Sequence, residues 1–124
     1  MQPSERDAAY LWDMLDAART IREFTSAVRL EQYNQNRMLR LATERGLEII
    51  GEAARRVSET FKQAHPEIPW RSIIAQRNVL AHEYGEIKQE RIWIVATVRI
   101  KELIANLEPL IPLLPPESET GIVR

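Results

Sequence analysis

The chain has 124 residues, about one domain with a single core, and its 44% hydrophobic and 28% charged content is that of a globular protein. Seventeen basic and eighteen acidic side chains leave a formal net charge of -1, without the surplus of lysine and arginine that nonspecific nucleic-acid binders carry. With no cysteine and only His65 and His82, the sequence excludes disulfides, thiolate metal sites, a cysteine nucleophile and a multi-histidine metal site within one chain. No apolar run approaches the roughly 20 residues of a membrane span. The opening segment, Met1 to Asp7, lacks the basic and apolar blocks of a signal peptide. A cytoplasmic protein is therefore expected.

Ser4 followed by Asp7 reads as a helix start, with an acid in the first turn. Leu11, Leu15, Ala18, Ile21, Thr25 and Val28 then recur at three- and four-residue steps and predict an amphipathic helix to about residue 27. Trp12 falls on the flank of that stripe, at an interface or over the edge of the core. A second, long helix is predicted from about residue 30 to 64, with Leu39, Ala42, Ile49, Ile50, Ala53, Val57 and Phe61 as its stripe. Gly46 lies within it, where glycine costs about 1 kcal/mol of helix propensity, which suggests close approach of another backbone. The opposite face interleaves Glu44, Glu48, Glu52 and Glu59 with Arg40, Arg45, Arg55, Arg56 and Lys62. This pattern reads as a solvated face laced with ion pairs rather than a carboxylate metal site.

His65-Pro66-Glu67-Ile68-Pro69 breaks the helical pattern, because residues before prolines are pushed away from helix. Trp70 to about His82 reads as a short third helix, with Gly85 as its C-terminal stop. The run Arg91 to Val98 has β-propensity, but no partner strand is visible, and Ile92, Ala96, Ile100, Leu103 and Leu107 continue one helical stripe. A fourth helix is predicted over about 88 to 108. Ile94, Val95 and Val98 lie off its stripe, so it needs a second surface, most simply a partner chain. Pro109, Pro112, Pro115 and Pro116 stop regular structure. The expected organisation is a helical domain over 1–108 and a Pro-rich tail over 109–124. The expected fold is all-α, an up-and-down bundle of four main helices.

Arg77-Asn78-Val79-Leu80-Ala81-His82-Glu83-Tyr84-Gly85 carries the candidate chemistry. On helical geometry Arg77 and Tyr84 share one face and Asn78 and His82 another about 100° away, so the four can ring one corner of the bundle. Taken singly, a histidine at a helix end is ordinarily a cap and an arginine a salt-bridge partner. Together they also suit cleavage of RNA, which brings its own nucleophile, the 2′-hydroxyl. Arg77 would steady the developing phosphorane charge, His82 would act as base or acid, and Asn78 would orient one of them. No metal and no cofactor is needed. A symmetric dimer would supply both a base and an acid.

The R-x4-H-x-Y pattern comes with Ile50-Gly51-Glu52-Ala53-Ala54, with Pro66-Glu67-Ile68-Pro69-Trp70, and with Tyr84-Gly85 ahead of a Trp-bearing helix. In that order and spacing the segments resemble HepT-like toxins of the HEPN superfamily over most of residues 5 to 108. The resemblance implies an all-α HEPN fold, a homodimer with a cleft lined by both motifs, and a metal-independent endoribonuclease. It further implies the toxin half of a type VII toxin–antitoxin pair, whose antitoxin is a minimal, MntA-like nucleotidyltransferase. Arg77 and His82 match the family's catalytic pair, Asn78 the polar residue after the arginine, and Tyr84 the tyrosine that the antitoxin AMPylates. Tyr84 would then reach the cleft mouth; its alternative is to pack near Trp93 with the hydroxyl in water. Two other readings stand beside this one: a non-catalytic nucleotide-binding or accessory partner of such a nucleotidyltransferase, and a purely structural dimerisation bundle.

Overall fold

Ser4 caps the first helix as the spacing suggests, its hydroxyl accepting the backbone N–H of Asp7 at 3.0 Å. In a computed structural model of the chain, which describes residues 3–111, that helix is α1, Glu5–Thr25. Leu11, Leu15, Ala18, Ile21 and Thr25 are buried along it as expected, and Met14, outside the predicted stripe, is fully buried as well. Trp12 packs over the edge of the core, with the Arg19 guanidinium 5.9 Å from its ring centre.

The long second helix expected from the sequence is three helices. They are α2 (Leu30–Gln35), α3 (Arg37–Arg56) and α4 (Glu59–Ala64). Both breaks have a local cause. The Asn36 side chain accepts the N–H of Leu39 at 3.0 Å, and the Ser58 hydroxyl accepts that of Phe61 at 3.2 Å, so each starts a new helix instead of continuing the old one. The predicted stripe also shifts. Thr43, Leu47, Ile50, Gly51, Ala53 and Ala54 are the buried face of α3, whereas Leu39 and Ala42 are half-buried and Ile49 lies at the exposed edge. Gly46 faces a side chain rather than a backbone: a Cβ there would sit 2.9 Å from Ile21. The close backbone approach belongs to Gly51, where a Cβ would meet the Ile73 carbonyl oxygen at 3.3 Å.

The proline-bounded bend at 65–69 ends α4 as predicted. It is held by the Trp70 indole N–H donating to the His65 carbonyl at 2.9 Å and by buried Ile68. From it leaves α5 (Trp70–His82), which packs along α3. The last rod begins earlier than expected. It comprises α6 (Gly85–Ile94), a π-helical turn over Val95–Arg99, α7 (Ile100–Leu107) and a 3-10 turn (Glu108–Leu110) that contains Pro109. Ile92, Ala96, Ile100, Leu103 and Leu107 are buried on one stripe, as the periodicity predicts. α1 packs against both α3 and α7, which closes an all-α bundle in which the described residues form no strand. The rest of the Pro-rich tail, from residue 112, lies outside the described residues.

One part-buried polar contact closes the end of the bundle where α1 begins and α4 starts. The Asp7 carboxylate accepts the Ser58 N–H at 2.9 Å and the Ser58 hydroxyl at 2.6 Å, across 51 residues. Asp7→Ala removes the charged acceptor of both Ser58 donors and should cost about 1–3 kcal/mol, the range for hydrogen bonds to an ionised group. Urea unfolding measures it; a midpoint equal to that of the parent protein would show that the bond contributes nothing.

Candidate active site

α5 presents the motif at its C-terminal end. Arg77 and Asn78 lie on its last two turns, and His82 is its final residue. Asn78 and His82 are four apart within the helix and both exposed, so they share one outward face. The backbone of Arg77 is placed on the helix one residue before Asn78; its side chain lies outside the described residues.

The helix stops one residue after the histidine. Glu83 is the C-cap in extended backbone (φ −99°, ψ 147°), with its N–H still bonded to the Val79 carbonyl at 3.1 Å. Tyr84 is extended too (φ −136°, ψ 156°) and stands at the N-cap of α6. The expectation that Gly85 ends α5 is therefore corrected. Gly85 has φ +69°, a conformation L side chains rarely adopt, and it turns the extended link into α6. The same break removes the helical basis for a common face of Arg77 and Tyr84, since the 3.6-residue period ends before Tyr84.

Tyr84 is 80% exposed. The alternative in which it packs near Trp93 is not what the fold shows: Trp93 lies against buried Tyr33, ring centres 5.2 Å apart. Between two extended residues successive side chains point to opposite sides, so Tyr84 leaves the link opposite Glu83. Glu83 turns back over α6 and forms an ion pair with Arg91, a partner eight residues away that sequence reading missed. A helix break between the two hides that spacing from any local pattern.

The neighbouring wall is α3. An open depression beside the end of α5 is lined by Leu80 and Ala81 together with Arg45, Glu48 and Glu52. The acidic and basic face of α3 is ion-paired as expected. Arg45 pairs with Glu48 at 3.4 Å, Arg55 and Arg56 share Glu52 at 2.8 and 3.0 Å, and Lys88 of α6 reaches Glu44 at 3.2 Å. Among the described residues no cluster of three histidine or carboxylate groups is placed to hold a metal ion. Hydrogen bonds from Arg55, then Arg56, hold the Glu52 carboxyl down at about 2.

The family model described as "Ribonuclease HepT-like" matches residues 14–110. The chain belongs to the ribonuclease HepT-like family. Among curated relatives, one from Thermococcus cleftensis named probable ribonuclease HepT is 36% identical, with 89% of this chain and 98% of that protein covered. A Methanocaldococcus jannaschii protein, provisionally named an RNase, is 34% identical over 85% of this chain and 97% of its own length. No solved structure matches. The HepT-like chain contains no helix, among the described residues, long and apolar enough to cross a membrane.

Glu52 supplies a pH test of the wall beside the motif. Its depressed value means that the pairing with Arg55 and Arg56 is fully present above the ordinary glutamate range and is lost as pH falls through about 2. In a carboxyl-detected NMR titration Glu52 should change near that value. Arg55→Ala should move the midpoint up toward that of an unpaired glutamate, and an unmoved midpoint would mean that the arginines do not set it.

Proposed function

We propose that this HepT-like chain is a metal-independent endoribonuclease, the toxin of a toxin–antitoxin pair, whose site is the exposed end of α5. The observation that carries the reading is the placement of His82 and Tyr84. In a family named for ribonucleases, His82 ends α5 and Tyr84 lies in the two-residue extended link that follows it, both exposed and free of the core. His82 takes the proton of the RNA 2′-hydroxyl, whose oxygen attacks the adjacent phosphorus. Arg77 steadies the charge on the phosphorane, with Asn78 orienting the phosphate or the imidazole. The 5′-oxygen leaves with a proton from a second acid. The products are a 2′,3′-cyclic phosphate and a 5′-hydroxyl.

The second acid is the His82 of another copy. Ile94 and Val98, 53% and 47% exposed, give the last rod an apolar strip with nothing over it among the described residues, and a two-fold dimer would cover it. Removing one proton-transfer group typically costs about 10²–10⁴-fold. Arg77→Ala and His82→Ala should each abolish cleavage of RNA in EDTA while the helical circular dichroism stays intact. Undiminished cutting by either variant would place the chemistry elsewhere, and a monomer by light scattering would remove the shared site.

Regulation would act at Tyr84. A minimal nucleotidyltransferase antitoxin joins the α-phosphorus of ATP to the tyrosine oxygen and releases pyrophosphate. The exposed hydroxyl is open to such an enzyme. The added phosphate sets a negative charge where an RNA phosphate must bind and competes for the Arg77 donors. Intact mass of the chain co-expressed with its nucleotidyltransferase should rise by one or more AMP increments, all lost in Tyr84→Phe. An increment that survives Tyr84→Phe would assign the modification to another residue.

A further inference from the structure

From the ion pair that spans the helix break, we infer that Glu83 and Arg91 form a positioning clasp that fixes the extended link, Glu83 and Tyr84, that follows His82. The inference rests on the ribonuclease reading for its effect on cleavage, and on geometry alone for its effect on the link.

The link is short and has little else to hold it. Glu83 gives its N–H to Val79, Tyr84 makes no side-chain capping bond, and Gly85 is the residue type with the fewest steric constraints on backbone rotation. Two extended residues between two helices can leave α5 in many directions. The side-chain bond of Glu83 to Arg91 selects one.

Arg91 can serve as an anchor because α6 is itself held. Trp93 packs on buried Tyr33, Ile92 is fully buried, and Lys88 reaches across to Glu44 of α3 at 3.2 Å with both side chains largely covered. The constraint therefore runs from the core through α6 and Arg91 to Glu83. It ends on the residue that separates the proposed base from the proposed acceptor of AMP. With Glu83 drawn toward α6, the extended backbone sends Tyr84 to the opposite side, where it is exposed. The residue between the histidine and the tyrosine of the motif thus has a task of its own. Both partners are partly exposed, and pairs of that kind contribute little to global stability. Their contribution lies in geometry, where a displacement of about 1 Å can cost up to 10²-fold in rate.

The experiment compares Glu83→Gln, Arg91→Gln and the reversed pair Glu83→Arg with Arg91→Glu. Two readouts are taken: the three-bond backbone coupling of Tyr84 by NMR, and steady-state cleavage of RNA in EDTA. Each single variant should lower the Tyr84 coupling from its extended value toward a coil average. Each should also reduce kcat on the order of tenfold, with KM and the thermal midpoint unchanged. The reversed pair should recover most of both, which a merely structural loss would not. An unchanged Tyr84 coupling in both single variants overturns the clasp, whether or not the chain cuts RNA. A lowered coupling with intact kcat overturns its role in cleavage. If the parent protein cuts no RNA, the ribonuclease reading fails by itself and the coupling alone decides the clasp.

Discussion

α5 can lie where it does because Gly51 has no side chain. A methyl group there would stand 3.3 Å from the Ile73 carbonyl oxygen, a backbone atom, so α5 would have to move away from α3 by a few tenths of an ångström. On another side of α3, Gly46 lies under Ile21 of α1, within 2.9 Å of where a Cβ would be. The two glycines are five residues apart and so face different neighbours on the helical wheel. Each sacrifices about 1 kcal/mol of helix propensity. In return α3 becomes the spine against which α1 and α5 both seat closely, and the far end of α5, with the motif, inherits its place from that seat.

What the sequence made legible was what periodicity encodes. The stripe Ile92, Ala96, Ile100, Leu103 and Leu107 is buried as read, even through a π-helical turn, because apolar residues at helical steps have few other uses. α5 was read to its ends because prolines precede it and the motif closes it. The errors share a cause. Asn36 and Ser58 are tolerated inside helices, and nothing in their neighbours announces that each side chain turns back to cap a new one. Thr43 was passed over and Ile49 included in the stripe because hydrophobicity stood in for direction; the threonine is fully buried and the isoleucine is not. Asp7 read as an acid at a helix start, and its second role depends on Ser58, 51 residues away.

The residues of the motif stand out in the sequence, but their geometry does not. Helical spacing carried two residues past the expected end at His82 puts Arg77 and Tyr84 on a common face, whereas the ladder stops at Glu83 and Tyr84 belongs to the next element. Charge balance was equally informative. The chain has a net charge of -1 with 17 basic side chains, and several cations around α5 are matched: Arg45, Arg55, Arg56, Lys88 and Arg91 each hold a carboxylate. The solvated face read from α3 is thus also the wall beside the site.

The packing of α1 has a consequence for how the molecule comes into being. Its stripe is shared between α3 and α7, so α1 leaves the ribosome well before α7 and waits for it before its core side is covered. Residues 77 to 84 emerge earlier, but α6, which orients the link after His82, continues directly through the π turn into α7. Until Leu107 has cleared the exit tunnel, the bundle is missing one of its rods. A nascent chain would therefore carry the motif's residues without the frame that arranges them, and emergence of α7, rather than exposure of the motif, marks the moment at which the candidate site can form.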